Sequence, residues 1–151
     1  MHSFLEYKQQ LENMLLEAKD NTEPNEDSWN TWRKLVNMSA KDINKFYDSD
    51  DGKDAGMKKK DADKAKIDNG RESARWLMKM LSNGETYKSA SENWTPTMWR
   101  WCRKQISFIS RMKGMRKRMV GNPFERNGEM TRWLKSMLIW GHDPRKPLRK
   151  I

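Results

Sequence analysis

The sequence predicts an all-α fold, a compact bundle of about five or six short helices with an N-terminal helical arm. Three observations carry this. No segment alternates apolar and polar residues at period two over the length of a strand, whereas apolar residues recur three and four positions apart along most of the chain. Cap residues, prolines and glycines punctuate these periodic stretches where helices start and stop. Eight tryptophans and twelve methionines give large or adaptable core side chains to a chain that is only 35% apolar.

Taken in order, "SFLEYKQQLENMLLEAK" (3–19) sets Phe4, Tyr7, Leu11, Met14, Leu15 and Ala18 on one side at helical spacing, with Ser3 as cap and Glu6 three positions on. "DNTEPNED" breaks it, so 1–26 reads as a helix and linker, 27–144 as a helical domain and 145–151 as a basic tail. A second helix starts near Asp27 or Ser28 with Trp29, Trp32 and Val36 on one face, and "SAKD" caps another carrying Ile43, Phe46 and Tyr47. Asp48 to Gly70 has few apolar anchors and reads as an exposed loop, a charged helix over 58–66 and a turn. "GRESARWLMKMLSNG" resumes the helical pattern with Ala74, Leu77, Met78 and Leu81 inward. Thr95-Pro96 opens a helix expected to stop at Gly114; turn chemistry follows in "VGNPFERNGEM", then Thr131 caps a last helix ended by Gly141. "NGRESARWLMKML" and "NGEMTRWLKSML" echo each other, either as one amphipathic solution used twice or as a duplicated hairpin.

Charge is the most informative part of the composition. Residues 1–70 hold 12 Lys and Arg against 15 Asp and Glu, a net of −3, while residues 71–151 hold 19 against 6, a net of +13. Such polarity points the second half at a polyanion. No apolar run approaches a membrane span, so no membrane partner is expected, and "MHSFLEYKQQ" lacks a signal-peptide layout. The single Cys102 makes no internal disulfide and fits a small buried hydrophobe in a reducing compartment.

The densest stretch is "WTPTMWRWCRKQISFISRMKGMRKRM", Trp94 to Met119, with three tryptophans and eight basic residues in 26 positions. On a helix, Trp99, Cys102, Ile106, Ile109 and Met112 form an apolar stripe and read as core. Arg100, Arg103, Lys104, Ser107 and Arg111 cluster opposite, and this face runs on into Lys113, Arg116, Lys117 and Arg118. Trp101 and Phe108 sit at the flanks, and Trp101 is the tryptophan expected to touch a ligand. Arg145, Lys146, Arg149 and Lys150 add a flexible basic arm. Such a cationic surface suits phosphate contacts; nothing resembles a base-reading code or a Gly-rich phosphate loop.

Other chemistry is excluded on spacing. "DSDDGKD" fails the EF-hand template, since counting from Asp48 puts Gly52 at position five and Lys59 at position twelve, where glycine is needed at six and glutamate at twelve. His142 and Asp143 are the only adjacent pair hinting at acid–base work, and no nucleophile motif accompanies them. No cofactor, metal or enzymatic activity is expected. The N-terminal helix offers self-association or a partner contact, beside plain packing on the body.

"GRESA" (70–74), "WTPTMWRWCRKQISFISRM" (94–112) and "LIWGHDP" (138–144) together resemble a small helical module of tailed-phage proteins, found in short uncharacterised proteins and attached to head-morphogenesis proteins. Arg71, Trp94, Phe108, Arg111, Trp140 and Gly141 match its pattern, over roughly residues 39–144; the stretch "GMRKRMVGNPFERNGEM" and the acidic N-terminal half depart from it. The resemblance implies phage origin, a place in the infected cell's cytoplasm or the virion, and no transferable activity. The functional expectation is a nucleic-acid-binding protein, DNA favoured, with weak sequence preference; its alternative is a virion structural or assembly protein that binds an acidic protein surface.

Overall fold

A computed structural model describes residues 22–55 and 69–151. The N-terminal helix expected over 3–19 and the charged helix expected over 58–66 lie outside the described residues. Within them the fold is mostly α-helical, as the periodicity predicts, with seven α-helices, one 3-10 turn and a two-stranded hairpin.

Caps set the helix starts. Asn25 accepts from the Ser28 amide (2.9 Å) to open α1, Glu26–Leu35, and Ser39 does the same for α2, Ala40–Asp48. Ser49 then both closes α2 and caps α3, Asp50–Asp54. The exposed loop expected here is therefore a helical turn, with Gly52 and Ala55 buried. Two acidic residues in that first turn complement the helix dipole, a local signal that the scarcity of apolar residues had masked. Asn69 caps α4, Gly70–Asn83, and Thr86 caps α5, Tyr87–Asn93, a short helix that apolar periodicity had not announced.

Thr95 and Pro96 open α6, Pro96–Met115, about 30 Å long at 1.5 Å per residue. It passes through Gly114, which keeps helical dihedrals, and ends in the 3-10 turn Arg116–Arg118. β1, Glu125–Arg126, and β2, Glu129–Met130, pair antiparallel across Asn127 and Gly128. Their φ angles of 56° and 80° are the pair of left-handed values that an Asn-Gly turn adopts cheaply. Thr131 caps α7, Arg132–Ile139.

α7 closes with a Schellman arrangement: the Gly141 amide donates to Leu138 O and the His142 amide to Met137 O, each at 3.0 Å. Gly141 holds φ 88°, and a Cβ there would lie 2.9 Å from Leu77 Cδ1 and 3.2 Å from Val36 Cγ1. The two echoed segments bury equivalent residues, Leu77, Met80 and Leu81 against Leu134, Met137 and Leu138. They begin differently, however, because Asn69 caps α4 while Asn127 lies in the hairpin turn. The likeness is therefore confined to the buried helical face.

α6 runs through the middle of the bundle, packed against α1, α4 and α7. Two aromatic groups fill the space around it. Trp94 meets Trp32 and Trp99 edge-on at 4.9 and 4.8 Å, and a row of Trp76, Trp101, Trp140 and Phe108 runs along the other flank. At their centre the fully buried Gln105 accepts from Trp32 Nε1 (2.7 Å) and donates from Nε2 to Ser73 Oγ (3.2 Å), tying α6 to α1 and α4. Among the described residues, the buried nitrogens Arg33 Nε and Trp99 Nε1 make no hydrogen bond.

Candidate nucleic-acid interface

The candidate surface begins with the side of α6 that none of the described neighbouring helices covers. Arg100 and Arg111 are exposed there, and Arg111 Nε donates only to Ser107 O one turn back, at 3.4 Å. Arg103 and Lys104 are half-buried: Arg103 Nη1 reaches Ser28 Oγ on α1 (3.4 Å), and Lys104 Nζ sits 4.7 Å from the centre of the Trp101 ring. These two cations lean over the bundle, so the ridge is narrower than helical spacing alone suggested.

Trp101 overturns its expectation. It is 5% exposed, held between Trp76 and Trp140 with Lys104 over its ring, and belongs to the core. A flank position faces solvent only when a helix packs on one side, and α6 packs on three. The apolar stripe is as expected, with Trp99, Cys102 and Ile109 buried and Ile106 and Met112 half-buried. Burial pushes the Cys102 thiol well above its ordinary pKa, which keeps it protonated and unreactive.

Beyond Arg111 the ridge becomes a cluster. Lys113, Arg116, Lys117 and Arg118 are all exposed at the end of α6 and in the 3-10 turn. Their charge also offsets the negative end of the α6 dipole. Arg100, Arg111, Lys113, Arg116, Lys117 and Arg118 pair with no carboxylate among the described residues, so their charge is not cancelled locally. The cationic turn is held against its neighbours: Arg116 lies 5.2 Å from the centre of the Phe124 ring, Phe124 stacks on Trp133 at 6.3 Å, and Trp133 Nε1 donates back to Met112 O at 2.9 Å. A closed chain of contacts thus fixes turn, hairpin and α7 to one another.

Between the turn, the hairpin and the start of α7 lies an open groove of about 510 Å³. Apolar periodicity had not pointed to it, and its signal was the Asn-Gly pair that sets Arg126 opposite Glu129.

The basic tail differs from a flexible arm. Arg145 closes a bidentate pair on Asp143, with Nε to Oδ1 at 3.0 Å and Nη2 to Oδ2 at 3.1 Å, which cancels its charge. Asn37 then clamps the backbone, donating to Asp143 O (2.9 Å) and Pro147 O (3.1 Å) while accepting from the Asp143 amide (2.7 Å); the Arg149 amide donates to Lys34 O. Lys146, Arg149 and Lys150 remain exposed on this docked tail. Burial, with the Arg149 charge adding to it, draws the neighbouring Arg33 guanidinium down to about 10, still fully charged at neutral pH.

His142 and Asp143 are buried and structural in their contacts. His142 Nδ1 donates to Leu35 O at 2.6 Å, and burial holds the ring below its ordinary pKa despite that bond. Burial alone would raise the Asp143 carboxyl, but the side-chain and backbone hydrogen bonds from Arg145 outweigh it and hold the group below its ordinary value. No group of three or more His, Cys, Asp or Glu residues with metal-holding geometry occurs among the described residues, and none of the described helices is long and apolar enough to cross a membrane.

No known protein family, curated protein or solved structure matches this chain.

Proposed function

We propose that the chain binds nucleic acid, DNA in the first instance, by phosphate contacts from the cationic end of α6 and the turn that follows, with weak sequence preference. The observation that carries this is the exposed run Arg111, Lys113, Arg116, Lys117 and Arg118, free of carboxylate partners among the described residues. Each such cation displaces condensed counterions when it meets a phosphate, so binding is electrostatic and steeply salt-dependent. Three of the five are arginines, whose planar guanidinium favours bidentate contacts. The motif resemblance extends the proposal to a phage-derived protein acting on DNA in the infected cell.

A salt-titrated gel shift with a short duplex tests it. Tight binding at low salt that falls steeply with salt is expected. Replacing Arg111, Arg116, Lys117 and Arg118 together by alanine should flatten the log–log salt slope by roughly 3 to 4, at about 0.9 per lost contact. All four side chains are exposed, so the circular dichroism spectrum should not change. No binding at low salt would sink the proposal, and capture of an acidic protein in its place would support the virion-assembly alternative.

A further inference from the structure

Phosphate contacts account for the turn but not for the groove beside it. The groove, about 510 Å³, is lined by the apolar side chains of Met119, Met130 and Trp133 and by the polar ones of Asn122, Arg126, Glu129 and Arg132. That volume lies within the range of small-molecule sites, and an apolar wall with a few polar groups is the usual lining of one. A bare phosphate is a poor match, because it would meet the Glu129 carboxylate beside Arg126 and Arg132 and would leave Met119, Met130 and Trp133 without an apolar partner. A flat heteroaromatic with hydrogen-bond donors on its edge fits all three elements: apolar side chains for its face, Glu129 for its donors, and the adjoining cations for a phosphate attached to it. The surroundings favour an anionic carrier, since residues 111–132 hold seven Lys and Arg against Glu125 and Glu129.

We infer that this groove takes one unpaired base of a single-stranded nucleic acid, its amino-bearing edge against Glu129 and its phosphates on the Arg116–Arg118 turn. The inference rests on the phosphate-binding reading above. Cytosine offers an exocyclic amine that a carboxylate accepts from, whereas thymine and uracil present carbonyl oxygens there and are repelled. A duplex, whose bases are stacked and paired, cannot enter the groove without unpairing one.

Fluorescence anisotropy on the full chain with labelled oligomers of about 12 nucleotides tests this, using oligo-dC, oligo-dT, their ribose counterparts and a duplex. Oligo-dC is expected to bind about tenfold more tightly than oligo-dT, the size of one good base contact. The ribose pair, compared with the deoxy pair, identifies which nucleic acid is the preferred source of the base. Glu129→Gln, an exposed and conservative change, should erase the cytosine preference by weakening oligo-dC and relieving the repulsion of oligo-dT, so that the two affinities converge. Met130→Trp, which fills the groove, should weaken both single strands and spare the duplex. Equal, salt-dependent binding of all oligomers would overturn this inference and leave phosphate binding standing. Retention of the cytosine preference by Glu129→Gln would overturn it as well, and failure of every oligomer to bind would remove both.

Discussion

Gln105 shows how much one buried polar residue can decide. Its amide satisfies Trp32 Nε1 on one side and Ser73 on the other, so neither neighbour is left unpaired inside the core. Gln105→Leu keeps the volume but orphans the indole N–H, and should cost about 1 to 3 kcal/mol of stability by urea denaturation. An unchanged midpoint would mean that Trp32 finds another acceptor. His142 and Asp143 make a second residue-scale case. The His142 ring titrates below its ordinary 6.5 in the fold, so the unfolded chain takes up the proton first. Its contribution to stability is complete above about pH 6.5 and is lost as the pH falls from there toward the folded value. Asp143 has the same sign further down: its contribution holds above the ordinary 3.8 and is lost as the pH falls through its lowered folded value. The denaturation midpoint should therefore drop between about pH 7.5 and 5, and more steeply again below about 4; a flat midpoint across the first interval would contradict the role of His142. Neither Gln105 nor His142 could be recognised from the sequence as a buried partner, because each bonds to residues more than 30 positions away.

Helix starts were legible element by element, since Ser39, Thr95 and Thr131 make the cap hydrogen bonds their residue types predict. α3 and α5 were not, as five and seven residues are too few to display a period. The end of α6 was misplaced for a related reason. A glycine stops a helix when the chain needs positive φ, as at Gly141, and Gly114 never leaves the helical region. Gly141 is accordingly the position where an element boundary is most vulnerable. Gly141→Ala adds a strained φ to a Cβ wedged against Leu77, and should lower stability by roughly 2 to 4 kcal/mol. Gly114→Ala, facing open space on a helix, should instead be neutral or raise stability by a few tenths to about 1 kcal/mol. Thermal melts of the two variants make the comparison, and equal shifts would show that backbone conformation is not the deciding factor.

Over the whole molecule, the net charge of the second half was readable from composition but its distribution was not. Lys135 is drawn onto Asp51 and Asp54 of α3, and Arg145 onto Asp143, so part of the formal positive charge is spent inside the fold. Part of what remains unneutralised lies along α6 and its following turn, and part on the docked tail at Lys146, Arg149 and Lys150. The direction in which the α6 charge faces depends on the angular setting of α6 about its own axis. Gln105 points inward between Trp32 and Ser73, and with about 100° between successive residues Arg100, Arg103 and Arg111 must then fall roughly 120° to 160° away, on the outer side. A core amide therefore acts as the keyway of the basic ridge, and variants there would turn the ridge, and weaken the phosphate contacts proposed for it, while leaving every surface cation in place.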